Sequence, residues 1–130
     1  YNSYKSWNNF MAFKQKICEN IGNSVTEHKD HQIAIYSAGT LTRELFAYSK
    51  NSFDHVDIFD KDPQKIGTEL FGKTILDPEK LVERDYGRIL IMVGEFEQEV
   101  KAYLIKKGFK KSQFLTYFEF EKSTHSQLFF

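Results

Sequence analysis

The chain has 130 residues, 41% of them hydrophobic and 16% aromatic, thirteen being Phe; this suits a single domain with a packed core and excludes the disordered class. Lys plus Arg equals Asp plus Glu at 18 each, so no whole-face field draws nucleic acid or anionic lipid. No run approaches the roughly 18 apolar residues of a membrane span, and no signal peptide is read. The expected location is cytoplasmic. A start at Tyr1 rather than Met points to an excised domain or a trimmed chain. The single cysteine, Cys18, reads as a small buried hydrophobe on a helix.

The first predicted element is a helix over residues 6–23. Trp7, Phe10, Met11, Ile17, Cys18 and Ile21 fall near one stripe of a 3.6-residue period, which Lys14 interrupts. Gly22-Asn23 reads as its stop, and residues 24–32 as a polar connection. Ile33-Ala34-Ile35-Tyr36 is then a short apolar run, as in a strand buried on both faces. Thr40 is the expected cap of a helix over 41–49, with Leu41, Leu45, Phe46 and Tyr48 available for burial. Asn51-Ser52 makes a turn, and a second strand covers 56–59, ending in Asp60. Residues 61–67 form a loop with one helical turn at Pro63, and 73–76 a third strand. Asp77-Pro78 starts a helix that runs to residue 84, with an N-cap acid and proline in its first position. Residues 89–93 are the most hydrophobic strand. The helix after it, over 95–107, carries Phe96, Val100, Tyr103 and Leu104 on one face and ends at Gly108. A last strand covers 114–117. The aromatic end, with Tyr117, Phe118, Phe120 and Leu128-Phe129-Phe130, has no clear element; it reads as core packing plus a tail, or as a docking surface for another domain or subunit.

Strands alternate with helices, which implies βαβ units. The expected fold is α/β: a Rossmann-like three-layer domain with a parallel sheet of about five strands in the order 3-2-1-4-5. Its expected divisions are residues 1–31 (N-terminal helix and connection), 32–118 (Rossmann-like domain) and 119–130 (C-terminal tail).

In such a sheet ligands sit at the carboxyl ends of the strands where the order reverses, here between the first and fourth strands. The predicted nucleotide site is Ser37, Ala38, Gly39, Thr40 and Leu41 on one side, Val93 and Gly94 on the other, and Asp60 with Lys61 at the end of strand two. Set against G-x-G-x-x-G, the three glycine positions fall on Ser37, Gly39 and Thr42, and only the middle glycine is kept. That glycine is the one that admits a pyrophosphate to the backbone. Thr42 would hold helix and strand apart, while the hydroxyls of Ser37, Thr40 and Thr42 would add donors beside the helix N-terminus. Asp60 follows Ser37 at roughly the 20-residue interval of an acid that binds a ribose diol.

The runs Ile33-Ala34-Ile35-Tyr36-Ser37-Ala38-Gly39-Thr40, Asp60-Lys61-Asp62-Pro63-Gln64-Lys65-Ile66-Gly67 and Phe71-Gly72-Lys73-Thr74-Ile75-Leu76-Asp77-Pro78-Glu79-Lys80-Leu81 resemble the small Rossmann modules of bacterial polysaccharide-biosynthesis proteins. Such modules accompany glycosyltransferase and methyltransferase domains. They are also similar to the nucleotide-sugar-binding N-terminal domain of sialic-acid-type sugar O-acyltransferases. The resemblance spans residues 32–116 and implies a nucleotide or nucleotide-sugar site at the glycine turn and Asp60. Members usually carry glycine where Ser37 stands, and often where Thr42 stands. The acyltransferases keep their catalytic histidine in a separate β-helix with no counterpart here, so no catalytic residue is carried over.

Other patterns have plainer readings. Asp60-Lys61-Asp62 matches a metal-holding D-x-D, but Asp60 suits the ribose and Asp62-Pro63 a turn. Tyr103 and Lys107 match a dehydrogenase proton-transfer pair, though burial against the sheet explains Tyr103. His28 and His31 sit in a polar connection with no third ligand in view, and Glu95, Glu97 and Glu99 oppose the dipole of the helix they begin. No metal site is expected. Three functions remain: a nucleotide- or nucleotide-sugar-binding accessory module without catalysis of its own; a degenerate scaffold for interdomain or homo-oligomer contacts; and an oxidoreductase using NAD(P).

Overall fold

The computed structural model describes residues 3–129, with side chains over 8–128. The expectations for Tyr1 and for the side chains of Trp7, Phe129 and Phe130 fall outside these. The chain is α/β, with a six-stranded, mostly parallel sheet and a long N-terminal helix. The strands are β1 (Gln32–Tyr36), β2 (Val56–Phe59), β3 (Glu69–Leu70), β4 (Lys73–Leu76), β5 (Tyr86–Ile91) and β6 (Phe114–Thr116). The helices are α1 (Ser3–Glu27), α2 (Thr40–Tyr48), α3 (Glu97–Lys106) and α4 (Tyr117–Phe129).

The sheet order is β3-β4-β2-β1-β5-β6, which differs from the expected five-strand order. The overlooked strand is β3, which pairs antiparallel with β4 at the edge. Their two-residue turn places both Phe71 and Gly72 at positive φ, +50° and +79°, the mirror-image geometry that suits a twisted hairpin. Phe71 holds that conformation while its ring stacks on Phe46, with centroids 5.5 Å apart. Elsewhere the pairs are parallel, with β1 between β2 and β5.

Central β1 is buried on both faces because its residues alternate between two cores. Ile33 and Ile35 meet Ile17, Ile21 and Val25 of α1, Leu45 of α2 and Tyr117 of α4. Ala34 and Tyr36 meet Phe59, Ile91, and Val100 and Leu104 of α3. The sheet therefore lies between two layers: α1, α2 and α4 on one face, α3 and a 3-10 turn over Pro78–Glu83 on the other. The expected helix after Asp77 is only this turn. Its cap is as read from the sequence, with the Asp77 carboxylate accepting from the Glu79 N–H at 3.0 Å.

α1 does not stop at Gly22-Asn23 but continues to Glu27. Val25 extends the apolar stripe and is fully buried, and packing overrides the glycine's poor helix propensity. Gly22 serves a different purpose. A β-carbon there would overlap Ser49 Oγ and lie 2.5 Å from Asn51 Oδ1. The missing side chain lets α1 seat against the turn after α2, where Asn51 Nδ2 donates to Thr26 Oγ1 at 2.9 Å. Gly22→Val is expected to cost about 2 kcal/mol through overpacking, measured by urea unfolding; an unchanged midpoint would show that this junction yields freely.

The residues after β6, expected to be a tail, form α4 against α1. Asn20 Nδ2 donates to Thr124 Oγ1 at 2.9 Å and to Gln127 Oε1 at 3.1 Å, and Thr124 is fully buried. Other boundaries move by a few residues. β5 begins at Tyr86 and ends at Ile91, short of Val93, and β6 ends at Thr116. α3 begins at Glu97, so Phe96 precedes it as N-cap and is 58% exposed instead of sharing the buried face. Gly108 ends the helix region at φ +106°.

Candidate functional site

Four parallel strands end at a common rim, and a cleft of about 1100 Å³ opens there. Tyr36 and Ser37 enter it from the end of β1, and Asp60 from the end of β2. The loop that follows β2 supplies Lys61, Asp62, Pro63, Lys65 and Ile66. Asp77, Pro78 and Glu79 come from the end of β4 and its 3-10 turn, and Val93 from the segment after β5. Phe96, Glu99, Val100 and Tyr103 form the α3 wall. The position is the crevice between β1 and β5, where the chain leaves the sheet toward opposite faces on α2 and α3.

The structure brings Ser37, Asp60, Lys61 and Val93 together in this cleft. Ala38 is fully buried. Gly39, Thr40 and Leu41 are not among the lining residues, because α2 packs on the opposite face from α3, and Gly94 does not line the cleft either. Sequence reading missed Pro63, Lys65, Ile66, Asp77, Glu79, Phe96 and Glu99 as cleft residues. Only their shared place at strand ends marks them.

The turn after β1 is held from three sides. Ser37 N–H donates to the Phe59 carbonyl at 2.8 Å. The Ser37 carbonyl accepts from the Thr42 hydroxyl at 2.6 Å. The buried Ala38 N–H donates to Asp60 Oδ2 at 2.7 Å, and Asp60 Oδ1 accepts from Asp62 N–H at 2.9 Å. Lys65 Nζ stands 3.8 Å from Asp60 Oδ2. Asp60 therefore staples the end of β2 to the turn after β1. Thr42 does not wedge helix and strand apart, as expected from its place in the pattern; it is fully buried and its hydroxyl closes the turn. Thr40 does not cap α2 either. Gly39 is the N-cap residue, and among the described residues no side-chain cap bond is made there.

Ser37 has φ +95°. This is the conformation for which the first glycine of the phosphate loop is ordinarily chosen, and a β-carbon there is strained by on the order of 1–3 kcal/mol. Ser37→Gly is expected to raise stability by about 1 kcal/mol, the relief of strain being partly offset by the freer unfolded chain. Equilibrium unfolding in urea checks it; a loss of stability would show that the serine side chain holds the turn.

Burial pushes the Tyr36 phenol up to about 12, with Tyr103 and Asp60 adding to the effect. Tyr36 therefore stays protonated near neutrality. Tyr103 and Lys107 meet Glu79. Tyr103 hydroxyl donates to Glu79 Oε1 at 3.3 Å, and Lys107 bonds Glu79 Oε2. Burial raises the Tyr103 phenol first and Lys107 opposes it, the net shift being upward. A dehydrogenase pair needs the reverse, a lysine that brings the tyrosine down.

The D-x-D carboxylates are engaged with backbone, since Asp62 Oδ1 accepts from the Gln64 N–H at 2.9 Å. Among the described residues no group of three or more His, Cys, Asp or Glu is placed to hold a metal ion. His28 Nδ1 donates to the Ser24 carbonyl at 2.8 Å, while His31 lies against Gly87. Cys18 is buried in the core, and that burial pushes its thiol up to about 11, which keeps it unreactive. No helix among the described residues is long and apolar enough to cross a membrane.

No protein-family model matches the sequence, and no curated protein matches it.

Proposed function

We propose that this chain is a Rossmann-like accessory module that binds a nucleotide or nucleotide sugar, without catalysis of its own, in a bacterial protein of cell-surface polysaccharide biosynthesis. The observation that carries the reading is the position of the cleft. It lies at the carboxyl ends of β1, β2, β4 and β5, at the reversal of strand order, with an acid at the end of the second strand. The resemblance of residues 32–116 to polysaccharide-biosynthesis modules supplies the ligand class and the biological setting, including a place beside a glycosyltransferase or methyltransferase and a cytoplasmic location.

A second reading is favoured by the two hydrogen bonds of Asp60. Asp60 has both oxygens engaged with the backbone, as a residue kept for the fold would have. In that reading the chain is a scaffold for contacts with other domains or with further copies of itself.

Thermal unfolding with UDP-sugars, CDP-sugars, NAD(P)(H) and S-adenosylmethionine separates the two. A ligand at one hundred times its dissociation constant is expected to add about 2.7 kcal/mol. No upward shift with any of them at millimolar concentration defeats the nucleotide-binding reading.

A further inference from the structure

We infer that the cleft, taken as the ligand site proposed above, anchors the uncharged ring portion of its ligand and disfavours phosphate, so that affinity falls as phosphates are added to a nucleoside. An ordinary dinucleotide-binding turn does the opposite, because backbone N–H groups at a helix start grip the pyrophosphate. Here the buried Ala38 N–H is occupied by Asp60 at 2.7 Å. The next residues, Gly39 to Leu41, start α2 outside the cleft lining.

The charges inside the cleft point the same way. Five carboxylates line it against two lysines and no arginine. Lys65 is drawn to Asp60 at 3.8 Å, which leaves Lys61 as the lining cation outside an ion pair among the described residues. Asp62, Asp77 and Glu99 have no cationic partner among those residues. A diphosphate entering the cleft would meet net negative charge and few donors able to replace its water.

What remains on offer is apolar and aromatic surface. Phe96 presents an exposed ring at the wall, and Val93, Val100, Tyr36 and Tyr103 continue it. Such surface stacks on a base or on the apolar face of a sugar. Carboxylates accept from ring hydroxyls, and phenols accept or donate. The ligand then lies with its rings inward and any phosphate turned to solvent.

Isothermal titration of the whole chain at low ionic strength tests this, with uridine, UMP and UDP and the matching adenosine series. Affinity is expected to fall from nucleoside to monophosphate to diphosphate. The variant Asp77→Asn/Glu99→Gln keeps the Asp77 acceptor that caps the 3-10 turn. At separations on the order of 8 Å it should raise the affinity for UDP relative to uridine by about fivefold. Diphosphates that bind more tightly than their nucleosides overturn this inference and leave the proposed site standing. No binding of either class up to millimolar concentration overturns the site itself, and the inference with it.

Discussion

Asp60→Ala is expected to lower stability by about 3 kcal/mol, since hydrogen bonds to a charged acceptor contribute roughly 1.5–3 kcal/mol each and a buried donor left without a partner is costly. Two N–H groups lose their acceptor at once, that of the fully buried Ala38 and that of Asp62. The Ala38 N–H is the costlier of the two, because it is shut off from water. Asp60→Asn keeps one acceptor and should cost roughly half as much. The measurement is urea unfolding of the three proteins. A loss below about 1 kcal/mol in the alanine variant would show that the turn after β1 is held by Phe59 and Thr42 without the carboxylate. The comparison also guards the function tests. A ligand lost from Asp60→Ala can report a collapsed turn, whereas one lost from a stable Asp60→Asn reports the charge.

Ending the chain after Thr116 is expected to abolish cooperative unfolding. Tyr117 is buried and Phe120 is packed against the same core as Ile17, Cys18 and Ile21. Burying two aromatic side chains contributes on the order of 5 kcal/mol, comparable with the whole net stability of a small domain. Asn20 also loses Thr124 and Gln127. The shortened protein should bind a hydrophobic dye and broaden in its amide spectrum. A sharp, reversible transition within about 2 kcal/mol of the full chain would show that α1 alone covers its face of the sheet.

Much of the architecture was legible because particular residues allow few alternatives. Ile33 to Tyr36 is apolar at every position, as suits a strand covered on both sides. Asp77-Pro78 and Gly108 punctuate the chain as their chemistry demands. The failures are equally specific. The hairpin at Phe71-Gly72 has phenylalanine where asparagine or aspartate ordinarily advertises such a turn, and its stabilising partner Phe46 lies far back in the chain. α4 hid because Thr124, which is fully buried, reads as a surface residue until Asn20 is beside it. Gly22 looked like a terminator because its neighbours Ser49 and Asn51 are brought there only by the fold.

The cleft was legible in two of its lining residues, Ser37 and Asp60, since both follow from a strand-end rule. The remaining walls were not. Pro63, Glu79 and Phe96 come from three different connections, and no spacing in the chain relates them. The motif comparison also attached ligand chemistry to groups that the structure uses internally. Thr42 and the Ala38 N–H are engaged within the turn, and a pattern of residue types does not show which donors are already taken.

The pairing of α1 with α4 has a consequence during synthesis. Asn20 and Thr124 are 104 residues apart in the chain. At about 5–20 residues per second the ribosome needs roughly 5–20 s to add that stretch. Throughout that interval the apolar stripe of α1 is made but its last partner is not. The nascent chain must either hold α1 against the early strands or leave the stripe within reach of a chaperone. A core closed by α4 thus sets the moment of folding at the synthesis of that helix.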